Sequence, residues 1–444
     1  MRGKGGLFKA VAPGILAGIS NVDACAVLCL LSIGSAYKYS LLWALILGFL
    51  LYAFTLQVAS EVALITGKGL AENLRERFGA GELSLTVLTS VAANVSLISA
   101  QVAGMAIALA ALLGLPLLVA IAASALLLFA VSSTKSLNVI DEVLVALSLT
   151  LAAYFILAFK AGANPDAMLA GALSPKLSIE AGYWVAVLAV LGMAVGPNVL
   201  FYEACDLAEK GVEESSLVKA MVSAVVGTIV SLAICVAIVT CGASLPSVSE
   251  DLSEAVAVFA SVFGGASTLL FSLGLFASSL LAAVVTLHST VALLSEAYGW
   301  RGVGIRRDNK AWVAWAAVIT LASALPVAFV AKPVKVAVVS SAICSLATIP
   351  PLVSMAKMST DPSIMKGLEA KGAMKALTWI IVGFFVVVNF GGLSLILAER
   401  PLLGYVTLPL DLVVIVVVAP LASAVLRKLS LSRRRGMHSE GVWR

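Results

Sequence analysis

The sequence predicts an all-α, polytopic membrane protein built from two inverted five-helix repeats, with about twelve spans of which the first and sixth are broken. Three observations predict it. The 444 residues are 61% hydrophobic and only 12% charged, whereas a water-facing shell needs roughly a quarter of its residues charged. Apolar stretches of about 20 residues recur along the whole chain, each enough to cross a hydrocarbon core of about 30 Å at 1.5 Å per residue. Helix-breaking residues interrupt two of these stretches, five spans apart, as inverted repeats require.

The expected spans are 8–34, 40–66, 83–114, 116–134, 137–159, 182–209, 216–241, 266–297, 311–331, 335–357, 374–397 and 404–426. They make one transmembrane domain over 1–444, with a first repeat at 8–159, a second at 182–357 and two additional helices at 374–426. The first span runs from a basic stretch, Met1 to Lys9, with no small-residue cleavage site after a short apolar run, so it is expected to be retained. Most of the 29 Lys and Arg fall on one side when the N terminus is inside, which places both termini in the cytoplasm. The net charge of +5 therefore reads as a topology signal, and nucleic acid is not implied. Gly67–Gly79 is polar with helical character and is expected to form a short cytoplasmic helix, while Pro165–Glu180 reads as the main external loop. The six cysteines lie in or beside apolar spans, where free thiols are the default and a disulfide framework is not expected.

The first span carries Gly14, Gly18, Ser20 and Asn21 just before Asp23, and the sixth carries Gly192 and the run Gly196-Pro197-Asn198. Unwinding at mid-membrane frees backbone carbonyls that can hold a cation, and it is tolerated only where it lines a cavity. Asp23 is the sharpest residue of the chain, because a carboxylate near a helix centre costs about 2.5–3.5 kcal/mol on insertion scales. It reads as a substrate or ion ligand, with capping of the second half of its span as the other reading. Asn198 offers an amide oxygen in the facing break, or a cap for the half-helix that follows. Glu203 is either a helper in an exit path or an interfacial acid. Asp141 and Glu142 fit the start of the fifth span structurally, and His288 fits a hydrogen-bonded core residue better than a ligand. Cys25 and Cys29, one turn apart, would suit a soft metal, yet small buried apolar residues are the simpler reading. Ser340 and Ser341 contact the site or bond between helices. No nucleophile, base or cofactor motif converges anywhere, so neither an enzyme nor a bound cofactor is expected.

Three runs carry a family resemblance. The stretch APGILAGISNVDACAVLCLLSIGSAYKYSLLW, followed by LITGKGLAENLRERFG, resembles the opening of the Nramp transporters; GMAVGPNVLFYEA resembles their sixth span; and KMSTDPSIMKG ahead of VVVNFGGLSLIL resembles the stretch after their tenth. The resemblance implies the LeuT/APC-like fold and alternating-access movement of divalent metal ions across a lipid bilayer, with the metal as substrate. It aligns Asp23 with the metal-binding aspartate, Ala26 with a lost asparagine ligand, Gly196 with a lost methionine ligand and Asn198 with a histidine. Asn198, Ser341 and carbonyls near Ser20 and Met193 would then supply oxygens, with Glu203 assisting release. Losing a thioether shifts preference from soft transition metals towards oxygen-loving ions, and two ligands replaced by small residues widen the site for a partly hydrated Mg²⁺. The third span carries Asn94 and Gln101 but no acid, where proton-coupled members carry acids. Both departures resemble the Nramp-related magnesium transporters. The expected activity is thus movement of Mg²⁺, Mn²⁺ or both, without proton coupling, in a prokaryotic plasma membrane. A proton-coupled Mn²⁺/Fe²⁺ symporter is the alternative. A symporter for a small organic solute such as an amino acid is a reading of another class, opposed by the charge of Asp23, and a transport-dead receptor is the third.

Overall fold

The computed structural model describes residues 22–133, 151, 153–210, 217–246, 264–299, 310–330 and 332–399. Among them lie fifteen helices: α1 (Ala24–Tyr37), α2 (Leu42–Thr66), α3 (Leu70–Arg77), α4 (Ala80–Leu113), α5 (Leu117–Ser132), α6 (Ala153–Lys160), α7 (Pro165–Leu173), α8 (Ala181–Ala194), α9 (Pro197–Lys210), α10 (Leu217–Ser244), α11 (Gly265–Tyr298), α12 (Lys310–Val330), α13 (Pro333–Ala347), α14 (Ile349–Ser359) and α15 (Gly372–Glu399). Eight stretches of the described residues are long and apolar enough to cross a membrane. The start of the first expected span, most of the fifth with Asp141 and Glu142, and the whole of 404–426 lie outside the described residues, as does Ser20.

Lipid replaces water as the solvent of the outer face. Leu126, Phe159 and Val387 are each more than two-thirds exposed on apolar helices, which a bilayer tolerates and water does not. The interior is closely packed and largely apolar, and several of its buried hydroxyls bond back to their own helices. Ser60, Ser99, Ser124 and Thr290, for example, each donate to the carbonyl four residues earlier, a low-cost way to hide a hydroxyl in lipid.

The two longest helices, α4 and α11, each have 34 residues and pack along one another at the centre. They are the third and eighth expected spans, five apart, as equivalent helices of the two expected repeats would be. Asn94 of α4 donates to Thr290 of α11 at 3.0 Å across this contact. α1 packs chiefly on α10. Glycines permit that approach, since a Cβ on Gly34 would strike the carbonyl of Val239 and one on Gly242 the carbonyl of Leu31.

Two elements depart from the expected outline. The segment expected as the main external loop contains α7, nucleated by Asn164, whose side chain accepts from Ala167 N, and by Pro165 at the first helical position. The tenth span is two helices, α13 and α14, joined at Thr348. Pro350 and Pro351 cause the joint, because neither has an N–H for the carbonyls of Leu346 and Ala347. The expected cytoplasmic helix is present as α3, and all six cysteines are buried and free. Beyond the tenth span, Ser363 donates twice to Asp361, through its amide at 2.8 Å and its hydroxyl at 2.7 Å. Those donors hold the exposed Asp361 carboxyl below the usual carboxylate range.

Candidate metal centre

Asp23 stands immediately before α1 in extended conformation (φ −96°, ψ −175°). Its Oδ1 accepts from Ala26 N at 2.8 Å, making it the N-cap of the half-helix. The capping reading of Asp23 thus holds in the structure, and the segment before Val22 lies outside the described residues. Ala26, buried behind that bond, contributes its amide and no side-chain ligand. The second oxygen, Oδ2, accepts from Gln101 Nε2 of α4 at 2.6 Å.

The sixth span breaks between α8 and α9. Val195 is extended (φ −123°, ψ 100°) and Gly196 follows. The cause is legible in the chain: Pro197 stands four residues after Met193 and has no N–H to offer its carbonyl. Met193 itself is half-buried, and its backbone oxygen is left without that helical donor. The carbonyl of Val195 accepts from Thr348 Oγ1 at 3.2 Å, so the joint in the tenth span serves the break in the sixth.

Asn198 sits at the start of α9. Its Nδ2 donates to Thr286 Oγ1 at 3.3 Å, and Ser289 Oγ donates to its backbone carbonyl at 2.6 Å, both partners belonging to α11. Its Oδ1 folds back over Gly196, filling the space a Cβ there would need, with Cys344 Sγ on the other side. A side chain at 196 and the amide oxygen of Asn198 thus compete for one volume.

Ser341 is fully buried on α13 between the two broken helices. Its hydroxyl donates to Ala337 O at 2.9 Å and lies 3.5 Å from Cys29 Sγ, while its backbone carbonyl abuts Gly192. A Cβ on Gly192 would overlap that carbonyl, so glycine is what lets α8 and α13 meet. Glu203 is half-buried on α9, five residues or about 7.5 Å beyond Asn198, within electrostatic reach of Tyr52. His288 is buried against Trp312, with ring centroids 5.2 Å apart.

The structure thus brings Asp23 to one break and Asn198, Gly196 and Met193 to the other, with Ser341 between the helices and Glu203 further along α9. Gln101, Thr286, Ser289 and Thr348 touch these residues without having drawn notice as site residues in the sequence. Being neutral, they lack the cost in lipid that singles out Asp23. Among the described residues no three of His, Cys, Asp and Glu group closely enough to hold an ion by themselves. The oxygen donors here are one carboxylate with amide and carbonyl oxygens, a hard set, and the thiols of Cys29 and Cys344 lie beside them.

A helix that starts at a capping carboxylate and a span interrupted at Val195–Gly196, set among long continuous helices, fit a LeuT-like transporter fold in a multi-pass membrane protein. Residues 14–395 match the family described as natural resistance-associated macrophage protein-like, Nramp. The chain belongs to the Nramp family.

Among its relatives, the divalent metal cation transporter MntH of Ralstonia nicotianae is 30% identical over 216 residues, covering 47% of this chain and about half (48%) of that protein. MntH of Mycobacterium tuberculosis is 23% identical over 392 residues, covering 85% of this chain and 89% of the relative. Among solved structures, a mutant of the Eremococcus coleocola manganese transporter superposes with a TM-score of 0.71 at 16% identity, over 95% of this chain and 94% of that one. Mhp1, a nucleobase-cation-symport-1 transporter in a closed conformation, superposes at 0.54 with 14% identity, over 90% and 95%.

Proposed function

We propose that the protein carries divalent cations across the membrane by alternating access, with Mg²⁺ or Mn²⁺ as cargo, and that it does so without moving protons. The observation that carries this reading is the pairing of breaks. Asp23 supplies one negative charge at the first, and Asn198 turns its amide oxygen over Gly196 at the second. The carbonyl of Met193, deprived of a helical donor by Pro197, adds another oxygen, and a carbonyl near Ser20 completes the proposed set. The donors are oxygens, and no thioether stands at position 196. Such a set favours hard ions, and a ligand shell this sparse leaves room for an ion that keeps part of its water. Glu203 assists release along α9, and Ser341 lines the space between the helices.

A cytoplasm-negative potential would drive entry by about 4.6 kcal/mol per 100 mV for a doubly charged ion, so no second ion is needed as a source of energy. α4 presents Gln101 to Asp23 where a proton relay would need a titrating group. The equal lengths of α4 and α11 support repeats at 8–159 and 182–357, with 374–426 as additional helices in one domain over 1–444. Both termini lie in the cytoplasm of a prokaryotic plasma membrane on this reading, as the distribution of Lys and Arg suggests.

The test is flux into proteoliposomes of Mg²⁺, Mn²⁺, Fe²⁺ and Ca²⁺, with a pH dye inside. Saturable Mg²⁺ or Mn²⁺ entry without acidification is expected. Entry coupled to acidification would favour a proton-coupled Mn²⁺/Fe²⁺ symporter instead. Entry of an amino acid in place of any divalent ion would overturn the proposal.

A further inference from the structure

Gln101 is a fully buried amide in the middle of α4, and both ends of it are committed to the first turn of α1. Its Nε2 donates to Asp23 Oδ2 at 2.6 Å and lies 3.7 Å from Cys25 Sγ, while its Oε1 accepts from Ala24 N at 3.0 Å. The Ala24 amide is one that a continuous helix would direct four residues back along its own chain. Gln101 takes that amide instead and so satisfies the break that exposes it. Gly104, one turn further along α4, makes the approach possible, because a Cβ there would overlap Ala24 Cβ and crowd Ser279 Oγ.

The same arrangement recurs at the other break with different residues. α11 holds Asn198 through Thr286, which accepts from its amide nitrogen, and through Ser289, which donates to its backbone carbonyl. Thus the two 34-residue helices each grip one interrupted helix beside the residue that carries a candidate ligand oxygen. In both cases the gripping groups are neutral. A Lys at 101 would cancel the charge of Asp23, and a Glu would put a second carboxylate against it.

We infer that Gln101 is a positioning residue of the cation site, orienting the Asp23 carboxylate for an arriving ion, with Thr286 as its counterpart for Asn198; this rests on the proposed reading of the site as a divalent-cation site. A carboxylate has roughly four lone-pair positions. Ala26 N and Gln101 Nε2 take one on each oxygen, which fixes the plane of the group and leaves the remaining positions for the ion. The amide binds no proton and surrenders none, so the grip does not depend on a titration.

The experiment is Mg²⁺ flux into proteoliposomes with the full chain, comparing wild type, Gln101→Met, Gln101→Asn and Asp23→Ala. Methionine matches glutamine in length and fills the same buried space, but neither donates to Asp23 nor accepts from Ala24 as the amide does. A hydrogen bond to a charged group contributes about 1.5–3 kcal/mol, so Gln101→Met is expected to raise KM about tenfold or more, with maximal flux per folded protein within about twofold of wild type. A residue that only packs would leave KM unmoved. Asparagine keeps the amide but is one methylene too short to reach both partners, and its KM is expected to rise several-fold. It serves as the test should the methionine variant fail to fold. An unchanged KM in either folded variant, alongside abolished flux in Asp23→Ala, overturns the positioning role and leaves the site reading intact. Undiminished flux in Asp23→Ala overturns the site reading itself.

Discussion

Asp23, Asn198 and Gly196 show how much one position can decide at the scale of single residues. Asp23 stands out in the sequence because a charge in lipid demands a reason, and the structure adds that it also caps α1. Gly196 is informative for what it lacks. A Cβ there would evict Asn198 Oδ1 from its place over the break, so Gly196→Ala is expected to raise KM for Mg²⁺ several-fold, measured by proteoliposome flux. Asn198→Ala should do the same, and the double variant should be little worse than either single one, since both remove one oxygen from one place. Additive losses would mean that the two residues act separately. Gly192→Ala belongs to a different mechanism. Its Cβ would meet the Ser341 backbone, which cannot rotate away, and overpacking of this kind costs about 1–3 kcal/mol. A lower melting temperature in detergent is the expected outcome. Gln101, by contrast, was visible in the sequence only as a missing acid. An amide has no desolvated charge to mark it, and its role depends on Gly104 letting α1 come close.

At the scale of elements, the membrane spans were legible because lipid imposes a length and an apolar composition on each one. The break in the sixth span was legible for the same kind of reason, as Pro197 removes a specific hydrogen bond. The joint in the tenth span has an equal cause in Pro350 and Pro351, yet the apolar run continues through it and conceals it. α7 was hidden in a segment read as loop, although Asn164-Pro165 is a helix start; what the pattern could not supply is the surface it packs on, including the Tyr39 carbonyl against Gly171. α3 depends on a partner distant in sequence. Glu296, at the end of α11, accepts from Ala71 N at 3.2 Å and Glu72 N at 3.3 Å at the first turn of α3, and Arg75 of α3 donates back to the Glu296 carbonyl. Removing an N-terminal acceptor costs a helix about 1 kcal/mol, so Glu296→Ala is expected to speed amide hydrogen exchange over residues 70–77 about fivefold. Unchanged exchange there would show that α3 is held by its own ion pairs, such as Lys68 with Glu76 at 2.5 Å.

Over the whole molecule, two long helices flank the helix starts that carry Asp23 and Asn198. α4 holds the start of α1 through Gln101, and α11 holds the start of α9 through Thr286 and Ser289. An ion bound to both Asp23 and Asn198 would be linked to both long helices at once. The spans were legible in the sequence because lipid sets their length and composition, and the break in the sixth because Pro197 removes a hydrogen bond. The partners of Asp23 were not, because they are chosen by packing between helices far apart in the chain. The central claim is that Asp23 holds a divalent cation during transport, and the most direct measurement is Mg²⁺ counterflow in proteoliposomes containing wild type or Asp23→Ala at equal amounts of folded protein. The account predicts saturable counterflow in the wild type and its loss, by at least about tenfold, in the variant; equal counterflow in both would contradict it.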